Sequence, residues 1–107
     1  MENQHKKITG YRDLTQQEID LMNRIKAKGT EMLELHALLV AQLKSRRETL
    51  EFTVSDDSAY TGQIVDDCRA ELEVFNRAEP ERWAAIGKTD IQTGIMALVR
   101  AVAKPTV

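Results

Sequence analysis

A single helical pattern runs without interruption through residues 15–47, which read TQQEIDLMNRIKAKGTEMLELHALLVAQLKSRR. Apolar residues recur along it at alternating steps of three and four, the spacing that aligns side chains on one face of an α-helix. The members of this stripe are Met22, Ile25, Gly29, Met32, His36, Leu39 and Leu43. No proline interrupts the pattern, so it predicts one helix roughly 50 Å long at about 1.5 Å per residue. A helix of that length in a chain of 107 residues must pack against a partner helix.

The beginning of this helix has its own signal. Thr15 and Glu18 stand three residues apart, as in a capping box, where each side chain accepts a hydrogen bond from the backbone N–H of the other residue. Leu14 and Ile19 occupy the positions of a hydrophobic staple around this box. We therefore predict that the helix begins at Thr15, behind a polar lead-in of residues 1–14.

Two further helices follow an irregular stretch. Residues 48–62 lose the helical spacing and are rich in turn-forming residues, which predicts a loop. Helical spacing resumes over residues 63–77, and a last helix is expected over residues 80–103, because proline at residue 80 suits the first turn of a helix. Since the loop turns the chain back, the sequence predicts an all-α fold, a single domain over residues 1–107 built as an antiparallel helical hairpin.

The last of these helices also carries a seam of small residues. Gly87, Gly94 and Ala101 stand seven residues apart, the spacing at which side chains return to the same side of packed helices. We expect another helix to approach closely along this seam.

Composition and charge narrow the class of protein. The chain has 15 basic and 17 acidic residues and a formal net charge of −2, so it has no overall attraction to nucleic acid or to an anionic membrane. Any anion-binding site must be a local patch. Cys68 is the single cysteine, which excludes an intrachain disulfide and is usual in intracellular proteins. Because no apolar stretch is long enough to span a bilayer, we expect a cytoplasmic protein with no membrane contact.

Residues that could perform catalysis are scattered. His5 lies in the polar lead-in, and His36 lies on the apolar stripe, where a single histidine is more often a packing residue. Neither histidine is placed to activate Cys68 as a nucleophile, and the three residues lack the spacing of metal ligands. Glu79 and Glu81 flank a proline and are better explained as support for a helix N-terminus. We therefore expect a binding protein without catalytic residues, metal or cofactor.

A cluster of basic and aromatic residues offers a candidate binding site. Tyr11 and Arg12 lie just before the first helix, and Lys26 and Lys28 lie within it. Tyr11 can stack on a nucleobase, an interaction worth roughly 1–3 kcal/mol per base, and a lysine can then contact a phosphate. The alternative is an ordinary solvated helix face. The residues alone leave both interpretations open.

A second candidate patch lies at the start of the last helix. It comprises Arg82 and Trp83, followed by Lys88, Thr89 and Gln92. A tryptophan here also suits an interface between copies of the chain, and the spacing alone favours that interpretation.

Two regions of the sequence resemble the phage anti-CBASS sponge family. The first contains KITGYRDLT at residues 7–15 and EIDLMNRIK at residues 18–26; the second contains RWAAIGKTDIQTG at residues 82–94 and ALVRAV at residues 97–102. Proteins of this family are small, phage-encoded and sequester the cyclic oligonucleotide messengers of bacterial CBASS immunity. The resemblance covers roughly residues 4–45 and 80–105 in the same order, and it leaves the middle of the chain, about 46–78, unaligned.

The resemblance implies an intertwined homo-oligomer, typically a homohexamer, that holds cyclic dinucleotides such as 3′,3′-cGAMP between paired protomers. Carried over to this chain, Tyr11 stacks on a base and Lys26 contacts a phosphate or a base, with Arg12 and Lys28 in the same site. Some relatives have a small hydroxyl residue in place of Lys28. A symmetric, doubly anionic ligand suits a two-fold interface, because each half of the ligand meets the same residues.

The resemblance also implies a second site and a place of action. Family members can hold cyclic trinucleotides, for which Arg82 and Thr89 are the candidates here. The expected function is sequestration in the cytoplasm of the host bacterium, without cleavage and without binding of long nucleic acid. Three alternatives remain: a sponge for the cyclic ADP-ribose signals that related anti-Thoeris proteins capture, a helical module that binds linear nucleic acid, and a structural module that only oligomerises.

Overall fold

The computed structural model describes residues 13–56 and 60–104. It contains three helices, α1 (Gln16–Ser55), α2 (Gly62–Ala78) and α3 (Pro80–Ala103). Helices account for 91% of the described residues, and no strand occurs among them. The all-α prediction is confirmed.

The N-terminus of α1 forms the capping box that the sequence predicts. The backbone N–H of Glu18 donates to the hydroxyl of Thr15 at 3.1 Å, and the backbone N–H of Thr15 donates to Glu18 Oε1 at 2.9 Å. The two side chains thus satisfy backbone donors that have no partner within the helix.

The C-terminal part of α1 differs from the sequence-based expectation. Residues 48–55 continue the helix, so the predicted loop over 48–62 is wrong in its first half. The reason is tertiary burial, which overrides the weak local preference for turn or strand. Leu50 is fully buried and Thr53 is nearly so, and the Thr53 hydroxyl donates to the carbonyl of Thr49, one turn earlier, at 2.9 Å.

A short break separates α2 from α3. Thr61 caps α2 by accepting a hydrogen bond from the backbone N–H of Ile64 at 3.3 Å. Between the two helices, Glu79 adopts a left-handed backbone conformation with φ 50° and ψ 52°. Pro80 then begins α3, in the position where its missing N–H costs nothing.

The described chain forms two compact units, and the first combines the start of α1, up to Glu34, with α3 from Lys88 onward. Within this unit Lys104 pairs with Glu18 at 3.8 Å. Further along α1, a β-carbon added to Gly29 would lie 2.7 Å from Ile95 Cγ1. Residue numbers rise along α1 as they fall along α3, so the helices are antiparallel and the predicted hairpin is confirmed.

The two helices come close together at Gly29, which is a member of the apolar stripe on α1. The predicted seam of small residues on α3 makes no such close contact among the described residues. A β-carbon on Gly87 or Gly94 would meet no described atom within 4 Å. The expectation that another helix packs on the seam stays a prediction.

The second unit spans residues 35–87. It contains two arginines of α1 whose side chains bond to other helices. Arg47 donates from Nε and Nη2 to the carboxylate of Glu81 at 2.6 and 2.9 Å, and its guanidinium lies 4.7 Å from the ring centre of Phe75. Arg46 donates from Nε to Glu71 at 2.7 Å. These hydrogen bonds hold the pKa of both carboxyl groups below its ordinary value. The arginines thereby connect α1 to α2 and to the start of α3.

The apolar core of the described chain is small. The buried apolar residues are Leu50, Val65, Ala84 and Ala103. Large apolar side chains elsewhere are open to solvent, and Met96, Leu35, Val74 and Trp83 are each exposed by 59% or more. Exposed apolar surface of this kind is typical of proteins that bury it against another molecule. That the whole chain is a single domain stays a prediction.

Candidate functional site

A groove of about 700 Å³ lies between α1 and α3 within the first unit. This volume falls in the range of known small-molecule sites, roughly 300–1,000 Å³. The residues that line it are Lys26, Gly29, Thr30 and Leu33 of α1, and Gln92, Thr93, Ile95, Met96, Ala97, Val99 and Arg100 of α3. The walls are therefore mainly apolar, with a few polar and cationic groups.

The helical spacing of α1 explains its side of the groove. Lys26, Gly29, Thr30 and Leu33 follow each other at positions i, i+3, i+4 and i+7, which share one helix face. The Thr30 hydroxyl donates to the carbonyl of Lys26 at 3.1 Å. Gly29 has no side chain, so α3 can come near this face.

Two cationic side chains, Lys26 and Arg100, line the groove, and no carboxylate is among the described residues that line it. The Lys26 side chain has no hydrogen bond or ion pair within residues 13–56 and 60–104, whereas Lys28 pairs with Glu31 at 3.4 Å. The described lining of the groove thus contains two cationic side chains, on a protein whose formal net charge is −2.

The antiparallel register separates the polar groups along the groove. Because Gly29 meets Ile95, Lys26 is at the level of Leu98 and Leu33 at the level of Ile91, and the lining residues Arg100 and Gln92 lie within two residues of these levels. Seven residues of helix separate the two levels, or about 10 Å. One end of the groove is thus cationic, and the other carries an amide beside apolar side chains.

The structure brings one of the four residues predicted for the dinucleotide site into this groove. Lys26 lines it. Lys28 is on α1 but not among the lining residues, and it pairs with Glu31. Tyr11 and Arg12 lie outside the described residues.

The candidates for the second site belong to different units. Arg82, in the second unit, lies with its guanidinium 5.2 Å from the ring centre of Trp83, and its Nη1 is 3.4 Å from Glu79 Oε2. Thr89 belongs to the first unit and is exposed. Their joint role in a trinucleotide site stays a prediction.

Sequence reasoning missed the contribution of α3 to the groove. Gln92, Met96 and Arg100 all line it and follow each other at steps of four, which places an amide, a thioether and a guanidinium on one helix face. This spacing is visible in the sequence. The face of α3 that meets α1 is not, because it depends on the register between the two helices.

Other chemistry-bearing residues stand apart from each other. The described residues contain no group of three or more His, Cys, Asp or Glu side chains that could hold a metal ion. His36 is half-buried, with no hydrogen-bond partner for its Nε2 among the described residues, and Cys68 is also half-buried. Among the described helices, none combines the length and the apolar character needed to cross a bilayer.

The fold and the groove together define a helical-hairpin protein with a largely apolar groove that Lys26 and Arg100 line. The chain is 53% identical over 106 residues to anti-CBASS protein 2 of Pseudomonas phage JBD67, an alignment that covers 98% of this chain and 97% of the relative. The family model of the Acb2/Tad1 hairpin domain matches residues 63–103. The chain therefore belongs to the Acb2/Tad1 hairpin family of anti-CBASS proteins, which confirms the resemblance. The matched range includes α2, in the part of the chain that the resemblance left unaligned.

Proposed function

We propose that this protein binds and sequesters cyclic oligonucleotide messengers and thereby blocks CBASS signalling in a bacterium infected by the phage. The observation that carries this proposal is the position of Lys26 in a groove whose described lining contains no carboxylate, in a chain 53% identical to an anti-CBASS protein. A phosphodiester can form a charge-assisted hydrogen bond with this lysine.

Sequestration has few chemical requirements. A sponge breaks no bond, so it needs a stoichiometric amount of protein and a Kd below the messenger concentration that activates the host effector. Nanomolar affinity corresponds to about −12 kcal/mol. Stacking on Tyr11 and charge-assisted hydrogen bonds from Lys26, each present twice at a two-fold interface, are interactions of the type that reach this value.

The proposal assigns the dinucleotide site to Tyr11, Arg12, Lys26 and Lys28. It assigns a second site, for cyclic trinucleotides, to Arg82 and Thr89. It also includes assembly into a homohexamer, supported by the large apolar side chains that the described chain leaves exposed. A two-fold pair of protomers within that assembly offers each half of a cyclic dinucleotide the same set of residues.

The test separates sequestration from cleavage. Protein in excess is mixed with 3′,3′-cGAMP, free ligand is measured after ultrafiltration, and the retained fraction is analysed after heat denaturation. We expect free ligand to disappear and intact ligand to return on heating. Recovery of linear dinucleotide would instead identify a phosphodiesterase, and an undiminished free fraction would contradict the proposal.

A matched pair of lysine variants of α1 tests the site. Lys26→Ala removes the cation from the groove, and Lys44→Ala removes an exposed lysine of the same helix that does not line it. Only Lys26→Ala should weaken retention of 3′,3′-cGAMP, and both variants should keep the mass of the assembly in light scattering. Equal retention by both variants would remove Lys26 from the site.

Because the resemblance extends to anti-Thoeris sponges, cyclic ADP-ribose signals are a second candidate ligand class. A competition experiment distinguishes the two classes: if a cyclic ADP-ribose isomer displaces 3′,3′-cGAMP at equal concentration, the alternative gains support. Binding of a linear oligonucleotide with affinity that rises with its length and falls steeply with salt would favour a nucleic-acid module.

A further inference from the structure

Besides Lys26, which the family resemblance assigns to the ligand site, the groove contains a second cationic residue, Arg100. Arg100 lines it on the opposite helix, about two residues, or roughly 3 Å, from the level that the contact of Gly29 with Ile95 sets for Lys26. A guanidinium and an ammonium thus approach one end of the groove from two sides. An arginine can contact two oxygens of one phosphate at once, while a lysine supplies a point charge.

The other end of the groove is chemically different. Gln92 lies there at about the level of Leu33, about two helical turns, or 12 Å, from Arg100 along α3. Its amide can both donate and accept, which suits the edge of a nucleobase. Met96 lies between the two ends on the same face, and a thioether packs well on a planar aromatic ring.

We infer that one nucleotide unit of a cyclic oligonucleotide lies along this groove, with its phosphate between Lys26 and Arg100 and its base edge at Gln92. In this arrangement Arg100 is a phosphate contact and Gln92 determines which base is preferred. The inference rests on the proposed function and adds two residues of α3 to its site. Since the groove belongs to one protomer, a paired protomer supplies the equivalent groove for the second nucleotide.

Contacts to phosphate carry no information about the base, whereas contacts to a base edge do. Isothermal titration with 3′,3′-cGAMP, c-di-AMP and c-di-GMP therefore separates the two roles. Arg100→Met keeps the apolar stem and removes the charge. We expect it to weaken binding of all three ligands by about tenfold to a hundredfold, the usual effect of losing a charge-assisted hydrogen bond, with unchanged ratios between them.

Two further variants complete the design. Arg100→Lys restores the charge but not the two-point contact, and it should recover part of the lost affinity. Gln92→Leu keeps the approximate size of the side chain, and we expect it to change the ratio between c-di-AMP and c-di-GMP affinities. Arg77→Met is the matched control, because Arg77 is exposed, lies on α2 and does not line the groove. It should bind as the unmodified protein does.

The outcomes are distinguishable. If the unmodified protein binds none of the three ligands, the proposed function fails. If it binds them and Arg100→Met binds equally well, the role of Arg100 is wrong although the function stands. Unchanged base preference in Gln92→Leu overturns the role of Gln92. Should Arg100→Met fail to fold, the Nε–H NMR signal of Arg100 in the unmodified protein decides: it shifts with 3′,3′-cGAMP if the contact exists, and an unmoved signal refutes it.

Discussion

Gly29 of α1 and Ile95 of α3 are in such close contact that a β-carbon at residue 29 would lie 2.7 Å from Cγ1 and 2.9 Å from Cδ1 of the isoleucine. Separations under about 3 Å between carbon atoms are strongly repulsive, since their optimal distance is roughly 3.5–4.0 Å. Both residues also line the groove. The contact therefore sets two properties together: how tightly the helices pack, and how wide the groove is.

Gly29→Ala should separate the two helices and lower stability. The added methyl group meets a β-branched side chain that has few rotamers available, and overpacking of this kind costs typically about 1–3 kcal/mol. Alanine recovers up to about 1 kcal/mol through its better helix propensity, so the net loss is smaller. The measurements are the midpoint of thermal unfolding and the Kd for 3′,3′-cGAMP, and both should worsen.

Gly62→Ala is the control for this substitution, because Gly62 lies in α2, outside the predicted seam. A β-carbon at residue 62 meets no described atom within 4 Å, so the variant adds the same methyl group without a clash. Ile95→Ala combined with Gly29→Ala should restore part of the stability by making room. If Gly62→Ala is destabilised as much as Gly29→Ala, the contact with Ile95 is not the cause.

Stability should fall on the acid side because of two carboxylates of the second unit. Hydrogen bonds from Arg47 and Arg46 hold the pKa of Glu81 and Glu71 below their ordinary value of 4.5. A group whose pKa is lower in the folded state stabilises the fold above its unfolded pKa, and this contribution disappears as the pH falls through the folded pKa. The thermal midpoint should therefore change little between pH 7 and about pH 5 and decline below pH 4.5.

The double variant Glu71→Gln, Glu81→Gln tests the origin of that decline. Glutamine does not titrate, so the variant should be less stable at neutral pH and should lose less on acidification than the unmodified protein. Melting curves from pH 3 to 7, followed by circular dichroism, measure both slopes. Equal slopes would assign the acid sensitivity to other carboxyl groups.

Glycine should be better than alanine at residue 79, the reverse of their order inside a helix. Glu79 has φ 50°, a left-handed conformation that costs an ordinary residue roughly 1–2 kcal/mol and glycine almost nothing. Both substitutions remove the exposed pair with Arg82, so the comparison isolates the backbone. Glu79→Gly should unfold about 1 kcal/mol less readily than Glu79→Ala in urea titrations. The opposite order would mean that the break between α2 and α3 has a different backbone conformation.

The elements that could be predicted from the sequence are those that depend on nearby residues. The capping box of Thr15 and Glu18 and the helix start at Pro80 are of this kind, because neither needs a distant partner. The helical extension past residue 47 could not be predicted, since it depends on the burial of Leu50 in the folded chain. Arg100 was missed for a related reason: its place in the same groove as Lys26 depends on the register between α1 and α3.

The two lysines assigned to the dinucleotide site on α1 should contribute unequally. Lys26 lines the groove, whereas the ammonium of Lys28, two residues further along the helix, is 3.4 Å from Glu31. Ligand binding by Lys28 must compete with that carboxylate, although an exposed pair of this type is worth only about 0.2–1 kcal/mol.

Lys26→Ala should therefore weaken binding of 3′,3′-cGAMP by much more than Lys28→Ala. Glu31→Ala frees Lys28 and should strengthen binding by up to a few-fold, since the carboxylate no longer competes for the ammonium and no longer repels the ligand. Isothermal titration of the three variants at one salt concentration provides the comparison. A larger loss in Lys28→Ala than in Lys26→Ala would mean that the ligand occupies the face of α1 opposite the groove, and the site would have to be assigned there.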